Sequence, residues 1–156
     1  MQRRNNGALT ERTAITLLVM AVAALLNIGF PKTSFADSLE IEITPDRISA
    51  CEKAQARYQE LYPDADTSGV HVVLLHKYNF CPANLTVKAG ETVRWINVDK
   101  RTSHSVWLKE AGSDESERFF PEEQWEYTFT MPGDYPYLCG PHWESDSMLG
   151  YVKVTQ

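Results

Sequence analysis

The chain has 156 residues, 43% of them hydrophobic and 23% charged, which suits one folded domain with a sizeable core and excludes wholesale disorder and a multi-span membrane protein. Its formal net charge is −6; the first 36 residues hold four of the 15 Lys/Arg and one of the 21 Asp/Glu, leaving 11 basic and 20 acidic residues, a net of −9, in the remainder. Such an acidic field repels nucleic acid and anionic membranes and speeds encounters with a basic partner.

At the N-terminus, Arg3, Arg4 and Arg12 precede an apolar run from Ala14 to Phe30, and Ser34-Phe35-Ala36 places small residues where a signal peptidase reads. Residues 1–36 are therefore expected to be a secretory signal peptide, with a periplasmic mature protein that has no membrane span; the alternative is an anchor through residues 14–30.

Residues 37–67 read as an N-terminal extension. Leu39, Ile41 and Ile43 alternate with Glu40, Glu42 and Thr44, a short strand pattern. Thr44-Pro45 then supplies a cap and a first-turn proline, and Ile48, Cys51, Ala54, Tyr58 and Leu61 recur at helical spacing, predicting a helix over about 45–61.

From residue 68 to 156 the periodicity changes. Short β-rich runs follow at 70–78, 84–88, 92–97, 104–108, 125–130, 135–139 and 149–155, separated by turn signals such as Ala89-Gly90, Asp99-Lys100 and Pro132-Gly133-Asp134. Seven short strands predict an all-β sandwich, with Trp125, Tyr127 and Phe129 on one face of their strand and Val152 and Val154 on one face of the last. The acidic stretch 111–117 reads as a surface loop. Asn84-Leu85-Thr86 meets the glycosylation pattern but falls inside a strand, where it is incidental.

Three cysteines in an exported chain leave one unpaired after any single disulfide. Cys139 lies three residues before His142, whereas Cys51 and Cys81 have no ligand-like neighbours. Pairing of Cys51 with Cys81 is the expectation, with two buried free thiols as the alternative. His71 and His76, five apart in one strand, fall on different faces and read as structural or surface residues.

The segment Cys139-Gly-Pro-His142-Trp-Glu-Ser-Asp-Ser-Met148 gathers thiolate, imidazole and thioether in one loop, and His104 offers a second imidazole from another. One Cys, two His and a weak Met suit copper in an electron-transfer site, while structural zinc prefers four firm Cys or His ligands. A copper enzyme would need further metal centres or open positions, for which His71 and His76 are too few.

These motifs resemble the plastocyanin/azurin (cupredoxin) family of type 1 blue copper proteins. The resemblance runs from about Val70 to Val154 and includes 79–93 as a first hairpin, Thr102-Ser103-His104-Ser105-Val106 as the first-histidine loop, 132–142 as the entry to the ligand loop and 148–154 as its exit. It implies a Greek-key β-sandwich preceded by a short helical extension, and one copper ion cycling between Cu(I) and Cu(II) on His104, Cys139, His142 and Met148. It also implies single-electron transfer between redox proteins rather than enzymatic catalysis. Pro141, His142 and Trp143 would form the port for a partner, and the acidic charge favours a basic c-type cytochrome; a copper reductase or oxidase is another candidate partner. The alternative functions are a copper carrier or sensor module, or an accessory domain of a copper oxidoreductase. Two departures stand out. The gap from His142 to Met148 is one residue longer than in plastocyanin-like loops and carries Glu144 and Asp146, which could offer oxygen ligands, and the residue after the first histidine, often Asn in the family, is Ser105.

Overall fold

Thr44 opens the first regular element among the described residues: its side-chain oxygen accepts the Arg47 N–H (3.3 Å), Pro45 occupies the first turn, and helix α1 runs over Pro45–Leu61. The structure is a computed structural model that describes residues 39–156. The expected signal peptide over 1–36 lies outside the described residues. Among the described residues no helix is long and apolar enough to cross a membrane.

Seven strands follow: β1 Val70–His76, β2 Asn79–Cys81, β3 Asn84–Lys88, β4 Thr92–Asn97, β5 Gln124–Thr128, β6 Gly133–Leu138 and β7 Leu149–Thr155. They form a four-stranded sheet ordered β2-β1-β4-β5 and a three-stranded sheet ordered β3-β7-β6. Both sheets are mixed, because β1 pairs with β4 and β3 with β7 in parallel while the remaining pairs are antiparallel. Between the sheets lies the main core, in which Val73, Leu75, Phe80, Trp95, Phe129 and Val152 are buried. The aromatic face of β5 packs against it: Trp125 stacks on Tyr127 at 5.8 Å, and Tyr127 meets Phe129 edge-on at 4.9 Å. A smaller cluster on the outer side of the larger sheet joins Ala54 of α1 to Leu74, Cys81, Ile96 and Val98, with Cys51, Tyr58 and Leu61 against it. Within it Cys51 and Cys81 form a disulfide, tying α1 to β2.

The structure departs from the sequence reading in five places. No strand forms over 39–44. Instead the backbone N–H and C=O of Ile41 bond the side-chain amide of Asn84 (2.7 and 2.8 Å), so one residue's amide takes the place of a neighbouring strand. Ile48, expected on the buried stripe of α1, is 49% exposed, since the sheet beneath supports only the later turns. The run 70–78 ends at His76, where Lys77 and Tyr78 take positive φ (45° and 61°) in a two-residue hairpin to β2. That turn lacks the usual Asn-Gly, and the Asp99 carboxylate stabilises it by accepting the Lys77 N–H (3.2 Å to each oxygen).

The run 104–108 is the fourth departure. It is not a continuous strand, because its partners change: His104 pairs with Phe119 and Trp107 with Leu138 of β6, each as an isolated bridge. The fifth is one turn of helix, α2, over Trp143–Asp146 in a loop where none was expected.

Candidate metal centre

Both loops that carry sulfur and imidazole lie at one end of the sandwich. Cys139 follows β6 directly, His142 closes the next turn, and Met148 immediately precedes β7. The loop between the two strands is cinched across its base, since Cys139 N–H donates to the Met148 carbonyl (3.1 Å) and Met148 N–H to the His142 carbonyl (3.3 Å). Helix α2 takes up the intervening residues, with Ser147 in the left-handed region (φ 51°), so the longer spacing still returns the chain to β7. His104 arrives from the opposite sheet and is fixed by a reciprocal pair of backbone bonds with Phe119 (3.1 and 2.9 Å).

The two loops bring Cys139 Sγ within 3.3 Å of His142 Nδ1 and 3.6 Å of His104 Nδ1, and one ligand atom from each residue fits within 4.8 Å of the others. A first-row ion at about 2.3 Å from sulfur and about 2.0 Å from nitrogen needs sulfur-to-nitrogen edges of about 3.6 Å. The three donors therefore fit a single small ion, and their softness selects copper. Cys139, His104 and Met148 are fully buried, and His142 is half-buried. Glu144 and Asp146 are exposed and stand outside the cluster, so the oxygen-ligand alternative finds no support. His71 and His76 also lie elsewhere, beside Glu91 (2.9 Å) and Asp99 (3.1 Å).

Several residues that orient the donors were missed in the sequence. Asp99, read there only as a turn residue, accepts from His104 Nε2 at 2.8 Å. That contact directs Nδ1 of the same ring toward Cys139. Burial alone would raise the Asp99 pKa, but the His104 bond, the Lys77 N–H and the charge of the two nearby histidines outweigh it and hold the carboxyl below its usual range. Asn97, also buried, accepts the Asp99 N–H (3.0 Å) and donates to the carbonyls of Thr102 (2.8 Å) and Phe119 (3.2 Å), fixing the first-histidine loop. The only signal for this network was the nearness of Asn97-Val98-Asp99 to His104.

Ser105, the residue after the first histidine, joins the two loops. Its hydroxyl accepts the Gly140 N–H (3.0 Å) and donates to Glu115 (2.6 Å), while its backbone N–H lies 3.5 Å from the Cys139 sulfur. A Cβ at Gly140 would overlap the carboxylate of Glu115, whose exposed side chain would have to swing aside and give up its bond to the Ser105 hydroxyl. Without metal, burial pushes the Cys139 thiol pKa up and that of His142 down, which favours neutral ligands whose proton a cation must displace from the thiol.

Around His142 the surface is aromatic. Tyr78, presented by the β1–β2 turn, meets the His142 ring edge-on at 4.9 Å, and Trp143 is 37% exposed. Lys109 Nζ lies 5.1 Å from the Trp107 ring and 5.4 Å from that of Trp143.

A sandwich with one thiolate and two imidazoles converging from its two sheets defines a copper-binding cupredoxin. The sequence comparisons agree. Residues 71–155 match the sequence model of the copper binding proteins of the plastocyanin/azurin family, and the chain belongs to that family. It is 35% identical to amicyanin from Paracoccus versutus over 75 residues, 46% of this chain and 56% of that protein, so it spans little more than half of that relative's length. It is 34% identical to plastocyanin from Scenedesmus fuscus over 84 residues, 48% of this chain and 85% of that protein. Among solved structures, the crystal structure of Paracoccus versutus amicyanin superposes with a TM-score of 0.51 at 33% identity, covering 60% of this chain and 87% of that one. A Cu(I) form of an amicyanin variant gives a TM-score of 0.51 at 32% identity, covering 57% and 85%. Copper is accordingly the cofactor, and α1 lies outside the matched region.

Proposed function

We propose that this protein carries single electrons between redox partners outside the cytoplasm, using one copper ion that His104, Cys139, His142 and Met148 would hold. The observation that carries this reading is the convergence of one thiolate and two imidazoles, within 4.8 Å of one another, in a mostly buried site. Bound copper would supply a one-electron couple. The protein's part is to hold the donors still: Asp99 fixes the His104 ring, the Ser105 hydroxyl ties the two loops, and the bonds at the loop base fix Cys139 against Met148. Ligands that do not rearrange between oxidation states keep the reorganisation cost low. The half-buried His142, flanked by Pro141, Trp143 and Tyr78, supplies an apolar port suited to brief contact with a partner.

The test is the visible and electron paramagnetic resonance spectrum of the copper-loaded, oxidised protein beside Cys139→Ser. An intense thiolate-to-copper band with narrow copper hyperfine splitting, bleached reversibly by reductant and absent in the variant, is expected. Weak bands like those of aqueous copper would overturn the reading.

Export by cleavage of residues 1–36, an extension over 37–67 and a copper-binding domain over 68–156 complete the proposal. The mature chain should begin at Asp37 by intact-mass measurement of the exported protein; retention of residues 14–30 would point instead to an anchored form. The acidic remainder of the chain supports a basic partner such as a c-type cytochrome.

A further inference from the structure

We propose that a basic groove between α1 and the loops after β1 and β4 is a second docking site, shaped for the acidic face of a redox protein. This rests on the electron-carrier reading and adds a second partner face to it. The groove, about 520 Å³, is lined by Lys53 and Arg57 of α1, Lys77 of the hairpin turn, and Lys100 and Arg101 after β4. These are five of the 11 basic residues that follow position 36, whereas only Glu60 and Asp99 of the 20 acidic ones share the lining. The sign of the local charge is therefore reversed in an otherwise acidic chain. Arg57 is partly neutralised by Glu60 (3.1 Å), but the side chains of Lys53, Lys77, Lys100 and Arg101 form no salt bridge among the described residues.

Lys53, Ala56, Arg57 and Glu60 recur at helical spacing on the face of α1 beside the one that buries Cys51, Ala54, Tyr58 and Leu61, so the helix that seals the small core also builds this wall.

The groove also leads to the metal centre. His76 and Asp99 are in its lining; His76 Nδ1 lies 3.1 Å from one Asp99 oxygen, and the other accepts from His104 Nε2 at 2.8 Å. A partner seated on the groove would lie against the close contacts His76–Asp99–His104, on the Nε2 side of the ring whose Nδ1 faces Cys139. The site thus has a route to its buried ligand in addition to the one through the exposed His142. The transfer itself is one electron, from a reduced partner to Cu(II), giving oxidised partner and Cu(I).

The test uses the copper-loaded protein with a reduced plant-type [2Fe–2S] ferredoxin as the acidic probe, in anaerobic stopped flow. Wild type should reduce more slowly as ionic strength rises, although both proteins are acidic overall, because the local attraction is screened within about 10 Å at 0.1 M salt. The Lys53→Glu/Lys100→Glu/Arg101→Glu variant should lose about tenfold or more in the low-salt rate, with its visible spectrum and its reduction by neutral hydroquinone unchanged. In the cuprous protein, amide resonances perturbed by ferredoxin should cluster at Lys77, Lys100 and Arg101. A wild-type rate that rises with salt, an unaffected triple variant, or perturbations centred on Trp143 would each overturn the proposal. Absence of the blue spectrum would instead defeat the electron-carrier reading, and the resonance mapping would still report on the groove.

Discussion

Replacing the Cys51–Cys81 disulfide by two alanines gives the sharpest energetic test of how α1 is attached. The bridge closes a loop of sequence separation 30 between the helix and β2. Chain-entropy arithmetic for a loop of that size gives a destabilisation of about 3.6 kcal/mol at 25 °C when the constraint on the unfolded chain is removed. For about 120 folded residues, with an unfolding entropy of about 2.1 cal/mol/K per residue, that is a fall in Tm of about 14 °C. In urea, at a slope of about 1.5 kcal/mol per molar, the midpoint should move down by about 2.4 M. Loss of the sulfur contacts in the small cluster of Ala54, Leu74, Ile96 and Val98 acts in the same direction. Cys139 belongs to the other, larger cluster, so the variant should still form the copper site and keep its visible band. A destabilisation under about 1 kcal/mol, well below the 2–5 kcal/mol typical of removing a native disulfide, would refute the claim that the cross-link matters through loop closure. Loss of copper binding in a folded variant would refute the separation of the two clusters.

Asp99→Ala should weaken copper binding about 10–100-fold in a chelator competition, because the buried His104 loses the acceptor that orients its ring; unchanged affinity would remove Asp99 from the site. Gly150→Ala should cost at least about 1–3 kcal/mol in denaturant unfolding, since the new Cβ would fall 2.2 Å from the ring of Tyr137, which is buried and cannot swing away. The alkaline limb of the stability curve should depend on Tyr151, whose hydroxyl donates to Asp134 and whose pKa is pushed up to about 12, first by burial and then by that bond and the Asp134 charge. A raised folded-state pKa means that the native state keeps its proton where the unfolded chain loses it. The contribution is therefore complete below about pH 10 and is lost as pH rises toward about 12; Tyr151→Phe should flatten that loss, and an unchanged curve would contradict the assignment.

Much of this protein was legible in its sequence because the relevant signals are local. Thr44-Pro45 and the spacing of Cys51, Ala54, Tyr58 and Leu61 specify α1 by its cap and its buried stripe. Runs 84–88, 92–97 and 149–155 coincide with β3, β4 and β7, since each has residues of high strand propensity bounded by turn residues. The short interval from Cys139 to Met148 brings three candidate ligands into one loop without any knowledge of the fold, and His104 is marked by its own flanking motif.

Tertiary structure decided what depends on residues distant in the chain. Alternation at Leu39, Ile41 and Ile43 is not used in a strand, because Ile41 bonds the side-chain amide of Asn84 at the start of the edge strand β3 rather than the strand's backbone. Residues 104–108 have strand character but divide their partners between Phe119 and Leu138, which no local pattern records. The turn at Lys77-Tyr78 has no turn-forming composition and is stabilised by Asp99, 22 positions away. That same carboxylate bonds His104, so the residue that orients a buried imidazole was visible in sequence only as part of a turn signal. The basic groove likewise arises because α1 and two separate loops fold side by side, gathering positive charges that are scattered along an acidic chain. Local patterns along the chain carry the candidate donors and most of the strands; which side chains hold those donors follows from the fold, because hydrogen bonds and charge clustering depend on distance in space rather than along the chain.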